Sequence, residues 1–518
     1  MALPDPPISQ TLPEPGPQGS AAADAPVPPI PVPAAPGRSR RLIARNFLSL
    51  SAALILVRVL SLFAGVYVRR VFGVVKMGEL NWAGAVVSYF SLAANPGVET
   101  IARREVARDT RQGPHFVALL FLVQLLLGIA SVLMVAAVAA FKPRGYEISV
   151  LLVLQSLTLL LLPFNLTWLL NAHERMTVAS LVDILASLAT VGGLFLLVRS
   201  PDHLVRYVVY VYPIRIVQQA FLFWYVFHVG LLRWKDLAFS LKGAGWLLKQ
   251  AVPLGLSSVA ILLYYNSDAI ILGIVRDSTA VGLYATAYGM MLVPTMFSSA
   301  LLGAYFPALT RAMDHPEQAA KTSRELLRAL AWIGFPLAAL GWAFGRAAAP
   351  AVYGPQFKES GPLFQWLALN LSLIFFNIGY GQPLVAWNRQ SSVLWITVAG
   401  AGTNLVLNLF AIPRFGAPGA VATTIAAEAV VALAIVWVRR RVMPINWPGA
   451  VGTPLFVSAV VALCGPLLMS RCGLTWLVSA VVCSAVLGVV VLIAEWPLVR
   501  LALAPVHRRV AGPGDGPG

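Results

Sequence analysis

Apolar stretches long enough to cross a bilayer recur from about residue 47 to residue 498, separated by short charged connectors. A helix needs about 20 residues to cross the hydrocarbon core. The pattern therefore predicts spans over residues 47–68, 80–98, 116–140, 149–170, 178–198, 206–231, 251–275, 284–309, 329–352, 362–386, 392–412, 417–438, 450–469 and 475–497. That makes about fourteen spans, with both termini on one side of the membrane. Continuous runs of this length exceed what a barrel strand needs, so strands are not expected. No connector is longer than about 20 residues, which leaves no room for an extramembrane catalytic domain.

Composition agrees with lipid as the solvent. Charged residues make up 11% of the chain, hydrophobic residues 58%, and the mean hydropathy is +0.77. A soluble domain would carry roughly a quarter of its residues as charges. The net charge of +17 would suggest nucleic acid in a soluble chain. Here the basic residues sort by topology instead. With Arg38, Arg40, Arg41 and Arg45 placed inside, about 24 of the 38 Lys and Arg fall in cytoplasmic segments and about 12 outside. This is the positive-inside rule, and no nucleic-acid partner is expected.

Residues 1–37 are dense in Pro and Ala and poor in large apolar residues, so a disordered cytoplasmic tail is expected up to about residue 40. No small-residue cleavage site follows a short apolar region, so the first span is expected to stay as an anchor. The three cysteines, of which Cys464 and Cys483 fall within spans, show no paired spacing. Neither a disulfide framework, a metal site nor a cofactor is expected from them.

The chain also echoes itself. Gly78-Glu79-Leu80-Asn81-Trp82-Ala83 opens the second span and Gly282-Leu283-Tyr284-Ala285-Thr286-Ala287 opens the eighth. Ile101-Ala102-Arg103-Arg104 pairs with Ala308-Leu309-Thr310-Arg311, and Leu169 to Arg175 pairs with Leu384 to Arg389. Six spans separate the copies, so both halves enter the membrane in the same direction. The expected fold is an all-α polytopic membrane protein with two six-helix bundles, residues 41–240 and 241–442. These are related by a pseudo-twofold axis along the membrane normal around a central cavity. Two extra helices would occupy residues 443–500, and a second disordered tail residues 501–518. Pro163, Pro213, Pro253, Pro294, Pro336 and Pro383 lie within or near spans, where each frees a backbone carbonyl and permits a kink.

Charges inside the spans need a reason, because one at the bilayer centre costs at least about 2.5–3.5 kcal/mol. Arg58, Arg215, Asp268 and Glu428 lie deep, and Asp183 lies about one turn and a half into the fifth span. They either pair within a bundle or line a wet cavity that holds a charged substrate or a coupling ion. Arg suits bidentate phosphate contact, which favours the cavity for Arg58. Arg346 and Glu495 are nearer span ends, where long side chains reach the interface. Polar residues such as Tyr264, Tyr284, Asn377, Asn404 and Asn408 could contact sugars or simply join helices.

At these residues the chain resembles the Wzx-type oligosaccharide flippases, of the superfamily that also holds the MATE exporters and the lipid II flippases. The first likeness is the opening, Ala44-Arg45-Asn46-Phe47 through Arg58-Val59-Leu60 to Arg69-Arg70-Val71-Phe72-Gly73. The second is Glu105-Val106-Ala107-Arg108, similar to a basic cytoplasmic loop. The third is Tyr264-Tyr265-Asn266-Ser267-Asp268-Ala269-Ile270-Ile271-Leu272-Gly273, and Tyr353-Gly354 is a further one. The likeness covers about residues 40–440. Two departures stand out: Asn95-Pro96-Gly97 replaces an Asp-Leu-Gly of many relatives, and no second Arg follows Arg58 one or two turns later, as lipid II flippases would show.

The resemblance implies export of an undecaprenyl-pyrophosphate-linked oligosaccharide from the inner to the outer leaflet of a bacterial cytoplasmic membrane. Cavity arginines would hold the pyrophosphate, with Arg58 where lipid II flippases keep one. It further implies membrane lipid as a partner, with a polysaccharide polymerase and chain-length machinery nearby, and no enzymatic step. Other classes remain open. A MATE-like exporter of amphipathic cations would want a cavity dominated by acids. A membrane polymerase or ligase would want a long outer loop with basic or His residues, and the six His are scattered instead. A scaffold contacting partners through the Pro-rich tail could coexist with transport.

Overall fold

The computed structural model describes residues 36–141, 145–472 and 474–495, with side chains from residue 57 onward. The tails expected at residues 1–40 and 501–518 lie almost wholly outside these residues. The first helix begins at Pro36, inside the first of them. Residues 53–518 form one compact unit, and the packing that follows is within it.

Helices and the connectors between them make up the described residues, with no strand among them. In a bilayer every backbone N–H and C=O must be satisfied internally, which a helix does within its own segment. The helices are α1 (Pro36–Ala94), α2 (Val98–Arg108), α3 (Gly113–Phe141), α4 (Tyr146–Leu157), α5 (Thr167–Ala172), α6 (Met176–Leu197), α7 (Leu204–Val209), α8 (Val211–His228) and α9 (Ala244–Val275). They continue with α10 (Ser278–Leu292), α11 (Thr295–Arg311), α12 (Pro316–Tyr353), α13 (Ser360–Ala386), α14 (Gln390–Phe415), α15 (Ala417–Val442), α16 (Trp447–Cys472) and α17 (Trp476–Ala494). Among the described residues, eleven helical stretches are long and apolar enough to cross a membrane. The other three expected spans fall on α1, which carries two of them, and on α7 with α8. Lys76, Glu79 and Asn81 dilute the start of the run expected over 80–98, and Arg215, Gln218 and Gln219 the one expected over 206–231.

The breaks between helices have local causes. Inside α1 only Gly73 leaves helical geometry, at φ 70° and ψ −176°, a conformation other residues reach at a cost. Helix α1 stops at Ala94 before Asn95-Pro96-Gly97. Pro163 lies in a 3-10 segment, Thr158–Phe164, between α4 and α5. Pro294 separates α10 from α11, whereas Pro253, Pro336 and Pro383 stay inside unbroken helices.

The part of α1 after Gly73 runs alongside α9. Trp82 Nε1 donates to the Ile270 carbonyl at 3.3 Å, the Tyr89 hydroxyl donates to Leu262 at 3.3 Å, and Pro96 packs on Gly255. Gly273 makes room for the indole, since a Cβ there would fall 1.9 Å from the Trp82 ring. At the other end α1 crosses α10. A Cβ on Gly78 would fall 1.7 Å from the Ser278 carbonyl oxygen, and one on Gly282 would fall 2.0 Å from that of Val74. The two glycines that open the echoed segments therefore meet each other. In the later half α12 packs on α13 and α16, while α14 packs on α15 and α9, and α17 lies on α16 and α12.

The third echo is also visible in the backbone. Glu174 and Asn388, at φ 59° and 57°, are the non-glycine residues with positive φ among those described. In each copy the following arginine closes the helix end: Arg175 N–H bonds Leu170 O at 2.9 Å, and Arg389 N–H bonds Leu384 O at 2.8 Å. This is a left-handed helix stop used twice.

Candidate functional site

In the later half, polar positions one helical turn apart on neighbouring helices face one another. Helix α9 contributes Tyr264 and Asp268, α14 contributes Asn404 and Asn408, and α15 contributes Ala420, Thr424 and Glu428. Asp268 is 2% exposed, and its carboxylate accepts from Tyr284, from Asn408 and, at 3.1 Å, from Thr424. Ser267 donates to Asn404 Oδ1 at 2.9 Å, and Thr424 donates to the Ala420 carbonyl at 2.8 Å. Thr423 donates to Asn408 Oδ1. Asp268, Asn404, Thr424 and Ala420 offer oxygens of the kind a hard cation takes, with the Asn408 amide nitrogen lying between Asp268 Oδ1 and Asn404 Oδ1.

Glu428 lies one turn further along α15. Asn377 on α13 donates to its Oε2 at 2.6 Å and to its backbone carbonyl at 3.1 Å, and the Tyr264 phenol lies against it. A cavity of about 380 Å³ opens beside Glu428, lined also by Tyr265, Gln382, Thr397 and Ile435.

A second polar group lies between α6 and α8. Arg215 donates to Gln218 Oε1 at 3.0 Å, and Gln218 Nε2 donates to Asp183 Oδ1 at 2.6 Å. The glutamine is buried, while both charged residues are exposed. An apolar groove of about 510 Å³ runs past it, walled by Leu185, Ile214, Val217 and Phe221.

The five charges singled out from sequence therefore divide. Asp183 joins Arg215 through a glutamine, and Asp268 and Glu428 belong to linked clusters on α9 and α15. Arg58 joins neither and is exposed on α1. Among the flanking charges, Glu495 pairs with Arg328 and accepts from Trp332 Nε1 at 2.6 Å, and Arg346 donates to Gln365 at 2.7 Å.

Two other arginines were passed over. Arg439 on α15 is fully buried between the rings of Tyr380 and Trp387, at 4.9 and 4.7 Å from their centroids. It reads from sequence as one of three basic residues ending a helix. Arg69 is half-buried on α1, with its guanidinium 5.2 Å from the Tyr353 ring. The rings beside it, Tyr207 and Tyr353, come from segments far along the chain, so nothing near it in the sequence marked it. Thr423 and Thr424 were also missed; Thr424 meets Asp268 from far along the chain, whereas Thr423 reaches Asn408 on the preceding helix.

Residues 43–313 match the polysaccharide biosynthesis protein family. The chain belongs to that family. The Wzx-type resemblance read from residues 44–73, 105–108 and 264–273 is thereby borne out. One relative is the probable low-salt glycan biosynthesis flippase Agl15 of Haloferax volcanii, 23% identical over 397 residues, which are 74% of this chain and 80% of that protein. In fold this family member is similar to the lipid II flippase MurJ in an inward closed conformation. The TM-score is 0.71 at 13% identity, over 88% of this chain and 100% of that one. It is also similar to a MATE multidrug resistance transporter in an inward-facing conformation, with a TM-score of 0.54 at 15% identity over 72% and 89% of the two chains. The protein is a multi-pass membrane protein with an all-helical fold of this kind.

Proposed function

We propose that this protein is a transporter, not a catalyst, that flips an undecaprenyl-pyrophosphate-linked oligosaccharide from the inner to the outer leaflet of a bacterial cytoplasmic membrane. The product feeds the synthesis of O-antigen, capsule or exopolysaccharide. The family and the named activity of the relative support a lipid-linked glycan as cargo. The observation that carries the mechanism is the contact of Gly78 with Gly282. Corresponding residues of the two echoed segments touch there, as they do when two similar bundles pack around a twofold axis. On this reading residues 41–240 and 241–442 are the two bundles, both termini are cytoplasmic, and transport is alternating access by rocking one bundle on the other.

The sugar head requires a polar path, while the isoprenoid tail stays in lipid. Arg58, exposed on α1, meets the pyrophosphate, for which the guanidinium fork is suited. Asp268, Asn404, Thr424 and the Ala420 carbonyl hold a coupling cation, with Glu428 beside the adjoining cavity. The Arg215–Gln218–Asp183 group lies along the groove on the first bundle. Polymerase and chain-length proteins are the expected neighbours.

The test is leaflet-specific accumulation of lipid-linked sugar in cells lacking the protein. The complementing copies would be wild type, Arg58→Ala or Asp268→Ala. Build-up on the inner leaflet that wild type clears and the variants do not is the expected result. If intermediates flip normally and only drug sensitivity changes, the protein is an exporter and the assignment of the cavity falls with it.

A further inference from the structure

Arg69 is a half-buried cation at the end of the first expected span, and the fold leaves it without a counter-charge. Its Nη1 donates to the Gly65 carbonyl at 3.1 Å, one turn back on its own helix, while its buried Nε has no hydrogen-bond partner. Among the described residues no carboxylate pairs with it; its neighbours are the phenols of Tyr353 and Tyr207. A charge held largely out of water without a counter-charge is expensive, and one that persists is commonly a functional site. Its Nη2 lies close against α10, where a Cβ on Gly289 would fall 3.0 Å from it. The guanidinium therefore projects from α1 towards α10, between the two halves of the protein.

Its position along the path is also defined. Eleven residues separate Arg69 from Arg58, about three turns. The two therefore share a face of α1 to within about 20°, about 16 Å apart along the axis. Gly289 lies about 10 Å further along α10 than Gly282, where α1 and α10 touch. The next residue closes the structure on this side: Arg70 donates to the Val352 and Ala351 carbonyls at 2.7 and 2.8 Å, capping the end of α12, and Gln356 donates back to the Arg70 carbonyl at 3.3 Å. Arg69 thus sits behind a seal made by Gly78, Gly282 and Arg70.

We propose that Arg69 is a second anion subsite, which takes the diphosphate of the lipid-linked cargo in the outer half of its passage after Arg58 has held it near the middle. This rests on the flippase reading. Parting the halves at the seal would give the cargo's phosphates the guanidinium edge that is unpartnered in the closed state.

The experiment uses the full chain reconstituted in phosphatidylcholine vesicles with a labelled polyprenyl-diphosphate oligosaccharide. It compares wild type, Arg69→Gln, Arg69→Lys and Arg70→Gln. Wild type that flips nothing overturns the flippase reading itself. If wild type flips, Arg69→Gln is expected to be slower by at least tenfold, with Arg69→Lys in between. Wild-type speed in Arg69→Gln overturns the subsite and leaves the flippase reading standing. A structural role is separated by placing Ser278→Cys at the seal and labelling it with an impermeant maleimide from outside, above the background of the native cysteines. Arg70→Gln is expected to raise that labelling and Arg69→Gln to leave it unchanged. Equal increases in both would make Arg69 part of the seal and overturn the subsite. Replacing part of the phosphatidylcholine with phosphatidylglycerol separates cargo from bulk headgroups. Loss of the difference between wild type and Arg69→Gln would assign the site to membrane lipid and also overturn the proposal.

Discussion

Asp268 accepts hydrogen bonds from donors on three other helices, Tyr284, Asn408 and Thr424. Truncation removes the acceptor that all three share in a dry interior, although Thr424 keeps the Ala420 carbonyl and Asn408 keeps Asn404 Oδ1, and a donor left unsatisfied there costs about 1–3 kcal/mol. Asp268→Ala is therefore expected to lower the thermal midpoint of the purified protein by several degrees or to prevent folding. Asp268→Asn keeps the shape and part of the acceptor set, so its fall is smaller. A bound cation adds stability by mass action, so sodium or another monovalent cation is expected to raise the wild-type midpoint and leave that of Asp268→Asn unmoved. An identical response in both proteins removes the cation from Asp268. Arg439 calls for the opposite expectation. It is fully buried and stacked on two aromatic rings, with no carboxylate paired to it among the described residues. Replacing buried charge by apolar side chains of similar volume is often neutral or stabilising. Arg439→Met is thus expected to match or exceed the wild-type midpoint, and a fall of several degrees would show that the stacked cation holds α13 to α15. Both residues illustrate what was legible. An acid in the middle of an apolar run is visible in sequence, whereas its ring of amide and hydroxyl partners is assembled from helices about 140 residues apart. An arginine next to a connector, such as Arg69 or Arg439, looks like any interfacial anchor.

Helix ends and crossings carry the next level. The apolar runs announced themselves because a spanning helix must be long and unbroken. Two of the three echoes were legible for a different reason: both preserve a backbone requirement. At Gly78 and Gly282 the requirement is close approach, since a Cβ at either would overlap a carbonyl oxygen of the facing helix. Gly78→Val is expected to force α1 away from α10 and raise external labelling of Ser278→Cys, with little change in the amount of protein inserted. Unchanged labelling would show that these helices part elsewhere. At Glu174 and Asn388 the requirement is a left-handed residue. A β-branched side chain there costs roughly 1–2 kcal/mol. Asn388→Val is therefore expected to lower the thermal midpoint, whereas Asn388→Gly holds or raises it. What the sequence did not show was where helices bend. Gly73 sits inside an otherwise continuous α1, although a connector was expected around it, because one glycine turns the chain without any polar loop. Pro294 breaks a helix and Pro253 does not, and the residues beside them give no reason for the difference.

For the whole molecule the question is what drives the cargo outward. A diphosphate carries net negative charge, and moving it out of an inside-negative cell is downhill by about 2.3 kcal/mol per charge per 100 mV. The arginines on α1 reduce that gain only to the extent that they move with the cargo, and Arg70 is tied to the end of α12 in the closed state. Asp268 and Glu428 lie in the other half of the chain, on α9 and α15, and their hydrogen-bond partners include no arginine of α1 among the described residues. This separation argues for two independent contributions. The anion responds to the potential through α1, and the cation returns through the Asp268 cluster to reset the empty carrier. Flipping in vesicles with a clamped potassium-diffusion potential should therefore rise with an inside-negative potential in wild type, for carriers oriented as in the cell. In Asp268→Asn the first turnover should keep that dependence, because cargo movement needs only the arginines and the potential. Multiple turnovers should slow and lose their response to the cation gradient, because the return step has lost its ligand. If the potential dependence of the first turnover disappears together with the cation response, anion and cation move in one step and the division of labour between the two halves is wrong.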